Sequence, residues 1–308
     1  MRLCKTLLVL GGKHMNYVTV IIPDIEEFEK QFHDFLYNNI SVNQLIIHNI
    51  NIYLQKKEDG VSLDSNIFFG YVEKDNEKLM IFQNAYPFKL QIMPLRTLSI
   101  EEEKESISSV LTYVKTSNKV IKGINGNPTE AEYFIKKANS ILGKKAFINI
   151  RMDIMEIGKI SLDKYRDGYL KQAVQEDEKE IAAAIKGFSF DCFKEIKSDD
   201  ECLKMAQSMI ADKKIYLFYD ETNTIVSLAV ITRKIKDHAA LSFVYTFPKY
   251  RNKGYATTTV ALLVEKSFEE GFKCCSLFVD QDNPYSNKAY LKVGFKYIGS
   301  NYDVVVEE

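Results

Sequence analysis

The stretch of residues 244–256, with the sequence VYTFPKYRNKGYA, most constrains the fold, because a strand pattern changes there into a helix pattern. Residues 239–246 form an apolar run of strand length, and Pro248 prevents it from continuing as an inner strand. The helical period begins after Gly254. Gly254 and Ala256 let a ligand approach the backbone, and the first N–H groups of the helix would point at it. This pattern predicts an anion site that fits a pyrophosphate.

Length and composition indicate an ordinary globular protein with more than one domain. A chain of 308 residues exceeds what one small core usually holds, so we expect two domains of similar size. The 41 basic and 42 acidic residues leave a net charge of −1, so no overall field attracts nucleic acid or an anionic membrane. No apolar run approaches the length of a membrane-spanning helix, and the sequence predicts a cytoplasmic protein.

Cysteine and histidine usage argues against a metal site. The chain has five Cys at irregular spacings and only four His, so we expect reduced thiols and no bound metal. Cys274 and Cys275 lie in an apolar strand pattern, where at least one of them is expected to be buried. His238 precedes the central strand pattern and is expected in an exposed turn.

The residues before Met15 have no structural pattern of their own. Codons for Gly11-Gly12-Lys13 can spell a bacterial ribosome-binding sequence, at about the usual short distance before a start codon. We therefore predict that translation starts at Met15 and that the leader is dispensable. A frayed leader strand is the alternative.

The first half alternates strand and helix patterns. Ser99-x-x-Glu102 is a capping box, which marks the start of a helix. The predicted strands are 17–22, 44–54, 66–72, 78–83, 88–93, 120–124 and 146–152, and the predicted helices begin at Asp24, Ser99 and Thr129.

Residues 158–167 are predicted to connect this half to a second one. The predicted elements of the second half are strand 168–173, helices from Glu176 and over 199–211, strands 215–219, 224–233 and 239–246, helix 254–270, strand 274–279, helix 286–293, and strands 295–299 and 302–306.

The second half carries two motifs of fixed spacing. The first contains Arg251, Gly254 and Ala256, and the second contains Asn283, Tyr290, Gly294 and Phe295. These motifs resemble those of the GNAT acetyltransferase superfamily. The first is similar to the loop that binds the pyrophosphate of acetyl-CoA, and the second is similar to the closing helix of that fold. The resemblance covers residues 167–306 well.

The resemblance implies an α/β (α+β) protein with two GNAT-like domains, each a mixed, mostly antiparallel sheet flanked by helices. We expect a degenerate domain over 15–157 and an acetyl-CoA-binding domain over 167–308. In the first half, strand, turn 125–128 and helix follow in the same order, but the basic residue and the small-residue loop are absent. One CoA per chain is therefore predicted. An unrelated α/β cap domain is the alternative for this half.

The resemblance also implies the site residues. Main-chain groups of Val244, Tyr245 and Thr246 are expected to meet the pantetheine and the thioester carbonyl, beyond a bulge where two central strands separate. Lys249 and Lys253 are expected near the ribose phosphate. The residues expected to hold the rest of the cofactor are Arg251, Asn252, Gly254, Tyr255 and Ala256 at the pyrophosphate, and Asn283 and Tyr290 at the pantetheine.

Tyr290 is the predicted general acid, placed beside the thioester rather than in the core. A phenol has a reference pKa of about 10 and stays protonated at neutral pH, so it can donate a proton to the departing thiolate. The alternatives are that Tyr290 only packs on the pantetheine and that Asn283 is a turn residue. No general base stands out, although Asp191 or Glu195 could act through water.

Acetyl-CoA is accordingly the predicted cosubstrate. The predicted function is transfer of its acetyl group to a primary amine of a small molecule or peptide. A non-catalytic acyl-CoA sensor and a transferase of a larger acyl or aminoacyl group are the alternatives.

Overall fold

The computed structural model describes residues 17–307, so the predicted start at Met15 lies outside the described residues. Contacts divide the chain into two compact units. Of the described residues, the first comprises residues 17–153 together with 299–307, and the second is Ile154–Ile298. The predicted domains, 15–157 and 167–308, differ from these units at the end of the chain, because the last strand pairs within the first unit.

The first unit is built on mostly antiparallel strands in the order β1-β2-β3-β4-β5-β12, where β12 is Lys296–Val306. Strands β4 and β5 pair in parallel, whereas β1 with β2, β2 with β3, β3 with β4 and β5 with β12 pair antiparallel. Its elements are β1 (Tyr17–Ile21), α1 (Ile25–Asn38), α2 (Ile40–Glu58), β2 (Phe68–Lys74), β3 (Glu77–Asn84), β4 (Leu90–Pro94), α3 (Ile100–Thr116), β5 (Gly123–Gly126), α4 (Pro128–Lys137) and β6 (Ala146–Ile157), which leads into the second unit.

Residues 44–54, predicted as a strand, lie inside helix α2. The β-branched residues of this stretch suggested a strand, but its buried apolar residues recur with helical spacing. Those residues are Ile46, Ile47, Ile50 and Tyr53. Packing of this face overrides the weak strand preference of isoleucine.

The second unit repeats the arrangement with strand order β11-β10-β9-β8-β7. One apolar cluster packs α7 and α8 against one face of this sheet, and another packs α5 and α6 against the other face. Its elements are β7 (Gly168–Gln172), α5 (Glu178–Phe193), α6 (Asp199–Ala211), β8 (Ile215–Asp220), β9 (Ile225–Ile235), β10 (His238–Thr246), α7 (Tyr255–Glu269), β11 (Cys274–Asp280), α8 (Pro284–Val293) and the first residues of β12, which continues into the first unit.

The two strands predicted at 295–299 and 302–306 are one strand, β12. Its end pairs antiparallel with β5, with Tyr302 opposite Gly126. Residues 300 and 301, which the prediction left between two strands, are part of this one strand.

The predicted fold class is confirmed, with mostly antiparallel sheets flanked by helices in both units. None of the helices in residues 17–307 is long and apolar enough to span a membrane.

Candidate active site

Strands β10 and β11 separate part of the way along their length. Their parallel pairing ends at Leu241 opposite Leu277, and within the described chain no later pair joins them. Strand β10 nevertheless stays paired with β9 as far as Thr246. The far half of β10 therefore presents main-chain groups that β11 does not use.

A β-bulge marks this separation. The register between β9 and β10 shifts between Ser242 and Tyr245. Phe243 has a φ of 48°, in the left-handed region that residues other than glycine rarely adopt. Bulges interrupt the ladder and are common beside active sites. The predicted backbone residues Val244, Tyr245 and Thr246 lie in this bulge or directly after it.

Gly254 begins helix α7 in a conformation that an L-residue avoids, with a φ of 87°. No side chain in the described part of the molecule caps this helix at Gly254. The N–H groups of its first turn therefore lack intrahelical partners and carry the positive end of the helix dipole. The predicted pyrophosphate loop is thus an uncapped helix start that follows the bulged strand directly.

Three cations lie in this loop, as the sequence predicts. Arg251 Nη2 lies 2.5 Å from Asp191 Oδ2 on α5, and Arg251 Nε donates to a main-chain carbonyl of β10 at 3.0 Å. Lys249 and Lys253 lie over the ring of Tyr250, with their Nζ atoms 5.0 Å and 5.6 Å from its centroid. Arg251 is therefore already ion-paired, whereas both lysines lie at the surface of the loop.

Asn283 and Tyr290 lie at opposite ends of helix α8, Asn283 at its N-cap and Tyr290 in its last turn. Asn283 Oδ1 accepts the N–H of Ser286 at 3.1 Å and caps the helix. The ring of Tyr290 is only 7% exposed and packs 5.9 Å from that of Phe295. The expectation that Tyr290 lies outside the core is therefore wrong, because the inner face of α8 carries its ring into the apolar cluster.

The phenol of Tyr290 is held in its protonated form. Burial raises its pKa above the ordinary value of 10.0. A hydrogen bond with Ser286 acts in the opposite direction, and the thiol of Cys192 adds to the rise. The hydroxyl therefore remains a proton donor at neutral pH.

The structure corrects the expectation that His238 lies in an exposed turn. His238 is the first residue of β10, is buried, and its Nε2 lies 2.8 Å from Ser276 Oγ. Burial lowers the pKa of His238 to about 4, so the ring is neutral. His238 is the first residue of β10 and Thr246 is the last, so the two residues lie roughly 25 Å apart at the usual rise of a strand. His238 therefore packs in the core and lies far from the bulge.

Cys275 is fully buried, as the sequence predicts for at least one residue of the pair Cys274 and Cys275.

Both carboxylates proposed as water-mediated bases hold ion pairs. Asp191 is bound to Arg251, and Glu195 Oε2 lies 3.1 Å from Lys197 Nζ. Asp191 is the one that the fold brings to the loop, since its partner is a loop residue.

Sequence reasoning missed Gly187 on helix α5, which makes room for Tyr245. A Cβ at Gly187 would lie 2.1 Å from Tyr245 Oη and 2.8 Å from its Cζ. The ring of Tyr245 is buried, so it has little freedom to move away. A glycine in a helix interior is the signal that could have indicated this close contact.

We expect Gly187→Ala to lower the free energy of unfolding by about 1–3 kcal/mol, the usual cost of overpacking. This clash must outweigh the roughly 1 kcal/mol by which alanine favours a helix over glycine. Urea unfolding measures the change. The same substitution in a Tyr245→Phe background should cost less, because the closest atom is gone. An equal cost in both backgrounds, or a gain in stability, would contradict the assigned contact.

The first unit has the same order of helices and strands as the second unit. This order corrects the sequence prediction that compared residues 125–128 with the pyrophosphate loop. Residues 125–128 precede α4, so they correspond to the start of α8 and not to the pyrophosphate loop. Asn127 caps α4 and is followed by Pro128, as Asn283 and Pro284 begin α8. The true counterpart of the pyrophosphate loop is residues 95–99, between β4 and α3.

At this counterpart the helix start is filled by the chain's own carboxylate. Ser99 N donates to Glu102 Oε2 at 2.8 Å, and Glu102 N donates to Ser99 Oγ at 3.2 Å. The side chain of Arg96, followed by the Ser99 main chain, lowers the pKa of Glu102 to about 2. The position equivalent to Tyr290, at the same spacing from the capping Asn, is Phe134. The first unit therefore lacks both the open helix start and the phenol.

A comparison with known protein families matches the part of the chain that contains this site. The model of the acetyltransferase (GNAT) family matches residues 180–295. A search of curated proteins found no match.

Solved structures extend the likeness to most of the chain. A GNAT-family acetyltransferase from Colwellia psychrerythraea has a TM-score of 0.51 at 12% identity, over 94% of this chain and 99% of that one. A Drosophila protein from a structural genomics programme has a TM-score of 0.60 at 10% identity, over 94% and 98%. A GCN5-related N-acetyltransferase from Sphaerobacter thermophilus has a TM-score of 0.54 at 12% identity, over 83% and 84%. At these identities the likeness concerns the fold, and the family model identifies residues 180–295 of the second unit as similar to the acetyltransferase (GNAT) family.

Proposed function

We propose that the second unit transfers an acetyl group from acetyl-CoA to a primary amine of a small molecule or peptide. The observation that carries this proposal is the uncapped, left-handed start of α7 directly after a bulged strand that has lost its neighbour. Orphan N–H groups at the helix start suit a pyrophosphate. Free main-chain groups of β10 suit an extended amide-containing arm.

The residues would act as follows on a bound acetyl-CoA. The amine nitrogen forms a bond to the thioester carbonyl carbon, and the carbon–sulfur bond breaks. Main-chain N–H groups near Val244 and Thr246 would hold the oxygen on which charge develops. Tyr290 would give its proton to the leaving sulfur, and the amine would lose its extra proton to water. Arg251, Lys249 and Lys253 would add positive charge around the phosphates.

Release of free thiol from acetyl-CoA in the presence of a panel of amines tests this function. We expect release that depends on a particular class of amine and saturates with its concentration. Tight acetyl-CoA binding without amine-dependent release from any class would contradict an enzyme and support a sensor.

The acyl-CoA sensor is kept as a second candidate because of the ion pairs around the site. Asp191 is engaged by Arg251, and Glu195 is engaged by Lys197. A carboxylate held in this way is a poor acceptor for the proton of an incoming ammonium. In a sensor, acyl-CoA would bind at α7 and no acceptor would be processed.

A single CoA is expected to bind per chain. The start of α3 is closed by Ser99 and Glu102, and three adjacent glutamates would repel a pyrophosphate there. Isothermal titration calorimetry of the full chain should give a stoichiometry of one. In a Gly254→Val variant this one site should be weakened, and no site of wild-type affinity should remain. A stoichiometry of two, or residual binding of unchanged affinity in that variant, would contradict the closed state of the first unit.

A further inference from the structure

The segment of residues 158–167, which the sequence indicated only as a connector, is fastened to the helices of the second unit. Ser161 N donates to the carbonyl of Val293 at the end of α8, at 2.9 Å. The Tyr165 hydroxyl donates to the Glu265 carboxylate on α7. Ile160 also packs against the apolar cluster beneath these helices. The segment is therefore an ordered strap across α7 and α8.

The strap fixes Arg166 at the start of α7. The backbone N–H of Arg166 donates to Thr258 Oγ1 at 2.9 Å, and Thr258 is buried in the first turns of the helix. The Arg166 side chain then lies along Gly254, with Nε 3.2 Å from the position that a Cβ on Gly254 would occupy. A guanidinium is thus held beside the glycine on which the pyrophosphate loop depends.

Arg166 differs from Arg251 in its partners. Arg251 is bound to Asp191 and to a main-chain carbonyl. Arg166 is exposed, and its guanidinium has no ion-pair partner among residues 17–307. A planar guanidinium with free N–H groups beside an uncapped helix start matches the geometry of a phosphate group.

We propose that Arg166 binds the pyrophosphate of acyl-CoA, together with the first N–H groups of α7. This rests on the proposed function of the second unit. The strap would then add a cation to the site from outside the loop that carries the recognised motif. Cofactor binding would then also stabilise the contacts between the strap and α7.

The test is calorimetric binding of three ligands to the full chain and its variants. CoA carries a pyrophosphate and a 3′-phosphate, dephospho-CoA keeps only the pyrophosphate, and pantetheine has neither. For Arg166→Ala we expect about tenfold weaker binding of both CoA and dephospho-CoA, the scale of a lost charge-assisted hydrogen bond. Binding of pantetheine should not change. Arg166→Lys should recover part of the loss.

Lys164→Ala is the matched control, since it removes an equal charge from the same strap. It should leave all three affinities within twofold. Melting temperatures of the variants establish that the strap stays folded. A loss confined to CoA, a loss that extends to pantetheine, or an equal loss in Lys164→Ala would each overturn the assignment. Failure of the wild-type chain to bind CoA would instead refute the proposed function.

Discussion

Replacing Gly254 with valine is expected to weaken CoA binding on the order of 100-fold, which corresponds to about 2.7 kcal/mol. The backbone of Gly254 has a φ of 87°, which a β-branched residue tolerates poorly. A side chain there would also meet Arg166 Nε, since a Cβ would already lie 3.2 Å from it. The added methyl groups would fill the space in which a phosphate must reach the N–H groups of α7. Calorimetry with CoA measures the loss.

Gly271 provides a matched control at the other end of the same helix. It has a φ of 97°, and no described atom lies within 4 Å of the position that its Cβ would take. Gly271→Val therefore introduces similar backbone strain without touching the loop. Both variants should lose stability to a similar extent in thermal melting, whereas only Gly254→Val should lose affinity for CoA. Equal losses of affinity would show that strain transmitted through α7, and not the loop, controls binding.

Tyr290→Phe is expected to lower turnover by roughly 10²–10⁴, the usual contribution of a general acid. The low end is expected because a CoA thiol, with a pKa near about 8.5, is already a fair leaving group. The ring stays in the core, so the dissociation constant of acetyl-CoA should not change. Loss of the hydrogen bond with Ser286 should cost about 1 kcal/mol of stability. Steady-state turnover and calorimetric binding of the two proteins make the comparison.

The control for this variant is Tyr285→Phe, on the exposed side of the same helix. It should leave turnover and binding unchanged. Burial raises the pKa of Tyr290, so ionisation of the phenol should not reduce wild-type turnover below about pH 10. Full turnover in Tyr290→Phe would remove the phenol from the mechanism. Weaker acetyl-CoA binding with unchanged turnover would assign it to cofactor packing.

The second unit was predictable from the sequence wherever local signals and packing agree. Helix α6 has the predicted bounds, because the capping box of Ser198 and Glu201 fixes its start. The order of strand, loop, helix, strand and closing helix around Gly254 is also as predicted. The main-chain consequence of the motif, an uncapped left-handed start of α7, follows from the glycine itself.

The remaining features depend on contacts between distant residues. The strap that holds Arg166 has no periodic pattern, and its position is set by Thr258 and Glu265 on α7. The burial of His238 depends on Ser276 of the neighbouring strand.

The counterpart of the closing helix in the first unit could have been found from the Asn-Pro pairs at 127–128 and 283–284. Aligning these pairs places Phe134 opposite Tyr290. The self-capped start of α3 supports the prediction that this half holds no second cofactor.

The most direct test of acetyl transfer by the second unit uses acetyl-CoA labelled in its acetyl group. The full chain is incubated with the labelled cosubstrate and a pool of small-molecule and peptide amines, and the products are identified by mass spectrometry. Gly254→Val, with its weakened binding of the cosubstrate, serves as the control. The account predicts label in the amide of at least one amine with the wild-type chain, and much less label with the variant at the same acetyl-CoA concentration. Label that stays on CoA in a wild-type protein that binds acetyl-CoA would contradict it.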